Sequence, residues 1–386
     1  MNRRTLIQRG IQLGLGTLAS TALPGAHAVA ASGKRGEPVA TETTGKGALK
    51  AVAAARGLLL GCAVDTTLMR QDAAYQAALR EQFNCVVGEN CMKFGPTQPQ
   101  PGTYFFDDAD ALVRFAEENH MKIRGHNFVW HEAKPAWLDA TLTRENAASI
   151  LTNHIRTVGG RYRGKVHSWD VVNEAIWLED GRPDGLRTAS PWFQTLGEQY
   201  LALAFRTAHE TDPKALLTYN EYGIESDSDS ESRKRAATLA LLKRLKAAGV
   251  PVHALGVQSH LRAGSPASYA KGAAELTQGA QELGLKLFVT EMDVKDDSLE
   301  SDNIAVRDAA VASVYSTYLD AMLQSKATHA VLTWGVSDAH TWLNRGTRFR
   351  EKHPTRKQRP LLLDDADAPK PAFYAMRQSL WQASKR

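Results

Sequence analysis

Beyond Lys50 short apolar runs alternate with longer amphipathic stretches. Eight runs read as strands: Gly57–Val64, Asn84–Gly88, Lys122–Phe128, Ser168–Val172, Leu216–Tyr219, Leu255–Gln258, Leu287–Thr290 and Ala330–Thr333. Each is largely apolar and is bounded by polar residues or glycine, as a parallel strand covered on both faces should be. Between them apolar residues recur at helical spacing. Asp108 to Asn119 places Ala109, Leu112, Val113 and Ala116 on one face, and Pro191–His209, Ser230–Ala248, Ala267–Leu283 and Asp302–Gln324 look similar. Gly249 and Gly284 stand just past two of these helices, where a C-terminal cap belongs. Eight strand-then-helix units predict an α/β fold, a (β/α)8 TIM barrel forming one catalytic domain over 51–386.

The start of the chain has a different character. Asn2-Arg3-Arg4-Thr5-Leu6-Ile7 is similar to a twin-arginine export pattern, Ile11–Leu23 is weakly apolar, and Ala26-His27-Ala28 is an A-x-A cleavage site. Residues 1–28 are therefore expected to be a twin-arginine-type signal peptide. The mature protein is expected to be exported, periplasmic or secreted. Residues 29–50, rich in Gly, Thr, Ala and Lys, read as a flexible linker. Composition adds little: 43% hydrophobic and 23% charged are ordinary globular values. The net charge is +5, and removing Arg3, Arg4 and Arg9 with the leader leaves +2, too little to argue for nucleic acid. No run of 18 apolar residues offers a membrane span. The unit is expected to be a monomer. Cys62, Cys85 and Cys91 are too few for a disulfide framework. They read as buried thiols, with a Cys62–Cys85 bridge between adjacent strands as the alternative.

A barrel enzyme presents its working groups after the strands, and the polar residues collect there. The second strand ends in Glu89-Asn90 with Lys93 nearby, and the third in His126-Asn127 with Trp130 and His131 following. The fourth ends in Asn173-Glu174 and the fifth in Asn220-Glu221, while the sixth carries Gln258 and His260. The seventh ends in Glu291 with Asp293 close by, and the eighth in Trp334 with Asp338 and Trp342 in the next loop. Glu174 and Glu291 stand on opposite sides of one barrel mouth. Two carboxyls flanking a bond are what glycoside hydrolysis requires, one protonated and one ionised. Tryptophans suit the apolar faces of sugar rings, and amides, Lys and His suit their hydroxyls. A metal site built from His126, His131 and Glu89 or Glu174 is the competing reading, but an i, i+5 histidine pair has neither helical nor strand metal-ligand spacing.

These residues resemble glycoside hydrolase family 10, the retaining endo-β-1,4-xylanases, from about Gly57 to Met376. The motifs are Gly88-Glu89-Asn90-x-Met92-Lys93, Arg124-Gly125-His126-x-x-Val129-Trp130-His131 and Trp169-Asp170-Val171-Val172-Asn173-Glu174. Gly256-x-Gln258-x-His260, Thr290-Glu291-x-Asp293 and Trp334-Gly335-Val336-x-Asp338 continue them, and Pro360-Leu361-Leu362 to Pro369-Lys370-Pro371-Ala372 closes the set. The resemblance implies hydrolysis of internal xylan bonds by double displacement without a cofactor. It implies Glu174 as acid/base and Glu291 as nucleophile, with His260, Asp293 and Asn173 in support. Glu89, Asn90, Lys93, His126, Trp130, Gln258, Trp334 and Trp342 would bind the sugar. Cys91, Phe94, His340 and Leu343 depart from the family pattern, at positions expected on the periphery of the sugar subsites. The same pair of carboxylates on another β-linked glycan, or a barrel that only binds sugar, are the rival functions.

Overall fold

The computed structural model describes residues 42–345 and 356–386. The expected leader lies outside the described residues, as does the linker up to residue 41. Among the described residues there are nine parallel-paired strands: β1 Leu59–Val64, β2 Cys85–Gly88, β3 Lys122–Val129, β4 Ser168–Asn173, β5 Leu216–Glu221, β6 Ala254–Val257, β7 His260–Arg262, β8 Lys286–Lys295 and β9 Thr328–Thr333. β1 through β6 pair in sequence order, β1 also pairs with β9, and β8 bridges β9 and β6. That ring of eight strands is a closed (β/α)8 TIM barrel.

The ninth strand was not foreseen. β8 runs ten residues and passes the expected end at Thr290. Its far half pairs with β7, setting His260 opposite Asp293. The helix expected over Pro191–His209 is two helices, Pro191–Leu196 and Gln199–Thr211, divided at Gly197 with φ +61°.

Side-chain alternation separates the two apolar layers. Cys85, Val87, Phe288, Ala330 and Leu332 fill the barrel interior, while Cys62 and Val86 belong to the layer under the helices. Cys62 and Cys85 therefore face opposite sides of the sheet. The alternative bridge is ruled out, and all three cysteines are free and buried. Burial raises the Cys62 thiol well above its usual range and pushes Cys85 and Cys91 up to about 12.

The residues just before Lys50 are already packed against the barrel domain. Gly45–Gly47 forms a 3-10 turn and Leu49 starts a helix with its side chain fully buried. Gln82 fastens this stretch: its Oε1 accepts from Leu49 N at 3.1 Å, and its Nε2 donates to Thr43 O at 2.8 Å. The last residues of the expected linker are thus part of the packed domain, because apolar Leu49 has a groove to fill.

Candidate active site

At the carboxyl ends of the strands lies a cleft of about 720 Å³. Glu174, Glu291, Asn173, His260 and all eight expected sugar-contacting residues line it: Glu89, Asn90, Lys93, His126, Trp130, Gln258, Trp334 and Trp342. Asp293 is fully buried behind them.

Glu174 follows β4 with φ +59°. Left-handed backbone at a residue with a side chain costs about 1–3 kcal/mol and persists only where its surroundings enforce it. Here Glu174 N donates to Asn220 O at 2.9 Å, and Arg187 Nε donates to Glu174 O at 3.0 Å. Arg187 is itself seated over the Trp177 ring at 4.7 Å. The turn aims the carboxyl into the cleft, where Gln258 Nε2 donates to its Oε1 at 2.9 Å and Asn173 Nδ2 at 3.1 Å. The side chain is only 9% exposed. Burial raises its pKa to about 7, with the charges of Glu221 and Glu291 adding to the effect and the Gln258 hydrogen bond opposing it.

Glu291 has the opposite surroundings. His260 Nε2 lies 3.3 Å from its Oε2, Asn220 Nδ2 donates to its Oε1 at 2.8 Å, and His126 Nδ1 is 4.0 Å away. Burial alone would raise this carboxyl, but the His260 hydrogen bond, the His126 and His260 charges and Asn220 bring it down to about 2.

Behind each histidine stands a buried aspartate. His260 Nδ1 is 3.0 Å from Asp293 Oδ1. Asp293 Oδ2 accepts from Trp342 Nε1 at 2.8 Å. Burial would lower the His260 pKa; the charge of Asp293, with hydrogen bonding to Asp293 and Glu291 and the Glu291 charge, instead lifts it to about 10. His126 Nδ1 is 3.0 Å from Asp170 Oδ2, and Asp170 is also ion-paired with buried Arg124. Asp170, the one charged residue in its apolar strand, thus sets the tilt of His126.

The remaining cleft is charged and aromatic. Lys93 Nζ donates to Asn90 Oδ1 at 3.0 Å and lies 5.3 Å from the Trp130 ring centre and 5.8 Å from that of Trp334. Burial lowers its pKa, against the pull of Glu291, Glu89 and Glu174. Burial raises Glu89, and Arg345, donating to its Oε1 at 3.0 Å, opposes that shift.

Several expectations change. Cys91, Phe94, His340 and Leu343 do not line the cleft. Phe94 stacks on His154 at 3.8 Å, Cys91 fills the space beside Gly88, His340 packs edge-on to Tyr75, and Leu343 is buried. Cys91, Phe94 and Leu343 are thus buried packing, and His340 is half-buried against Tyr75. Asp338 also leaves the cleft: its Oδ2 accepts from Lys370 Nζ at 2.7 Å, joining the β9 loop to the C-terminal segment. His131 lies outside the cleft too, and among the described residues no group of His, Cys, Asp or Glu is placed to hold a metal ion. Two contributors carried no sequence signal of their role. Asn220 was visible at a strand end, but its link to Glu291 was not. Arg187 sits in an irregular loop and acts on a main-chain carbonyl.

The glycosyl hydrolase family 10 model matches residues 48–379. A β-1,4-xylanase from Dictyoglomus thermophilum is 38% identical over 308 residues, covering 78% of this chain and 83% of its own. The crystal structure of native xylanase 10B from Thermotoga maritima superposes with a TM-score of 0.75 at 31% identity, covering 86% of this chain and 98% of that one. An intracellular xylanase from Thermoanaerobacterium saccharolyticum gives 0.73 at 30% identity, with 85% and 97% covered. With the barrel, the paired carboxyls and a family match over nearly all of the described residues, this chain belongs to glycosyl hydrolase family 10.

Proposed function

We propose that Glu174 and Glu291 divide the two carboxyl roles of a retaining endo-β-1,4-xylanase. The chain is such an enzyme by its family; the division of labour rests on its own side chains. One observation carries it: of two buried carboxyls in one cleft, Glu291 is held by His260 and Asn220 and Glu174 by the neutral amides of Gln258 and Asn173, so burial pushes Glu174 up to about 7 while its partners bring Glu291 down to about 2. Environments that separate two carboxyls this way distinguish a proton donor from a nucleophile.

Protonated Glu174 gives its proton to the glycosidic oxygen as Glu291 Oε attacks the anomeric carbon. Loss of the leaving sugar yields a covalent glycosyl-enzyme. Glu174, now ionised, takes a proton from water, which displaces Glu291 with overall retention. Asn220 and His260 keep Glu291 ionised. Asn173, whose Oδ1 accepts from Asn220 at 2.9 Å, offers its amide to the 2-hydroxyl of the transferred sugar. Trp130, Trp334 and Trp342 present ring faces to the sugar chain, and Glu89, Asn90, Lys93, His126 and Gln258 its polar contacts. Reducing sugar released from xylan and from cellulose, with the anomer first formed read by NMR, tests the reading. Xylan cleavage with the β-anomer appearing first is expected. Preference for cellulose, or an α-anomer first, would refute it.

We also infer export through Arg3-Arg4. Among the described residues no helix is long and apolar enough to cross a membrane. Replacing both arginines with lysine should leave uncleaved precursor in the cytoplasm; normal export of that variant would overturn the inference.

A further inference from the structure

A second cavity of about 480 Å³ opens between residues 98–104 and the helices Ala136–Thr141 and Ala147–Arg161, sharing no residue with the catalytic cleft. We propose that it is a second carbohydrate site that holds the neutral backbone of xylan. The proposal rests on the xylanase reading above for the identity of its ligand.

Its volume falls in the roughly 300–1,000 Å³ range of small-molecule sites. Its walls combine two fixed aromatic rings with amides and hydroxyls. Trp137 is held by its Nε1, which donates to Gln98 O at 2.9 Å, and by edge contact with Phe94 at 5.9 Å. Tyr104 stacks with Phe106 at 5.7 Å and with His154 at 6.4 Å. Both rings are half-buried, so each keeps part of its surface available.

The polar groups point to a ligand. Gln98 is 7% exposed, lines the cavity, and its side-chain amide makes no hydrogen bond among the described residues. That amide is not sealed from water, so it opens into the cavity, where a sugar hydroxyl can take the place of water. The Asn153 amide, exposed on the opposite helix, is equally free among the described residues. Thr141 and Thr157 also line the wall; the Thr141 hydroxyl donates to Trp137 O at 3.0 Å and keeps its acceptor side. No side chain lining the cavity is ionised at neutral pH, in contrast to the catalytic cleft with its glutamates and lysines. A phosphate or uronate would find no cation here. A neutral pyranose, with one apolar face and a rim of hydroxyls, matches the rings and the amides together.

Placement supplies the purpose. The helical turn Phe94–Thr97 has Lys93 at its N-cap and Gln98 at its C-cap. Lys93 lines the catalytic cleft and Gln98 the second cavity. At about 1.5 Å per residue the two ends of that turn lie about 7–8 Å apart. A polymer held at the second cavity is thereby kept near the cleft at raised effective concentration. Short substrates gain nothing from it.

The test uses the full chain. Glu291→Ala, which cannot complete turnover, is titrated with xylohexaose by calorimetry and by amide chemical shifts. Two sites are expected. Asn153→Asp, an exposed substitution that places a charge in a neutral pocket, should weaken the second site at least tenfold, as should Trp137→Phe, which keeps packing but loses the bond to Gln98. In the otherwise wild-type chain both substitutions should slow attack on insoluble xylan about threefold or more at low substrate, with kcat/KM on a nitrophenyl xylobioside unchanged. A single site, unaffected by either substitution, overturns the second site while leaving the xylanase reading intact. Failure of Glu291→Ala to bind xylohexaose at all would refute the xylan reading and this inference with it.

Discussion

Replacing His260 with Asn should move the acid limit of the enzyme. In the wild type, burial would raise the Glu291 carboxyl, and the His260 hydrogen bond and charge are prominent among the causes that bring it down from 4.5 to about 2. Lowering it that far corresponds to about 3 kcal/mol of preference for the ionised form. His260→Asn keeps the polarity but removes the charge. His126 and Asn220 then oppose burial alone, and the carboxyl should return to about 4.5 or above. The assay is kcat/KM for a nitrophenyl xylobioside, whose leaving group departs without a proton, so the protonation state of Glu174 drops out. At about pH 3 the wild-type nucleophile is about 90% ionised, but one with a pKa of 4.5 is only about 3% ionised. Relative to its own plateau near pH 6, the variant should lose about thirtyfold at pH 3 where the wild type loses almost nothing. Circular dichroism at each pH confirms that the chain is folded. An acid limb in the variant that coincides with the wild-type limb would refute the claim that His260 keeps Glu291 ionised.

The stability of this pair should follow a window. The depressed Glu291 contributes fully above 4.5 and loses its contribution as pH falls through about 2. The raised His260 contributes fully below 6.5 and loses its contribution as pH rises through about 10. The gap in urea midpoint between wild type and His260→Asn should thus be widest from about pH 4.5 to 6.5. Glu174→Ala should release a burst of nitrophenol and then turn over slowly, with xylan cleavage down about 10²–10⁴-fold and azide giving a β-glycosyl azide; an inverted azide product would refute the assignment. Arg187→Leu frees the Glu174 carbonyl and should lower kcat about tenfold to a hundredfold with little change in KM, since a misplaced catalytic group can cost about 10². Gly125→Ala would place a Cβ 2.0 Å from the Trp169 ring; unfolding at lower urea by about 1–3 kcal/mol or more is expected.

The eight barrel strands were legible because a strand covered on both sides is apolar throughout and stands out against amphipathic helices. β7 and the far half of β8 were not. The apolar run stops at Thr290, and Glu291-Met292-Asp293-Val294 continues as strand because Met292 pairs with Thr333 on β9 and Asp293 with His260 on β7. The cleft was legible for a related reason: polar groups at the ends of apolar runs have few other uses. Arg187 escaped notice because its partner is a carbonyl exposed by the left-handed turn at Glu174, and φ is not written in a non-glycine residue. Phe94 was misplaced because its spacing from Lys93 fits either side of a helical turn, and only the stack on His154 decides which.

The three buried thiols turn the barrel into its own unfolding gauge. Cys62 on β1 sits in register with Thr333 on β9, at the seam where the first strand meets the last. Cys85 lies inside the ring on β2. A thiol this deeply buried meets an alkylating reagent only when the surrounding structure opens. Pulsed labelling read by mass spectrometry would therefore time the parting of the seam at Cys62 against exposure of the interior at Cys85. Equal rates would mean that the ring opens as one unit; faster labelling at Cys62 would place the weakest joint where the two ends of the barrel sequence are sewn together.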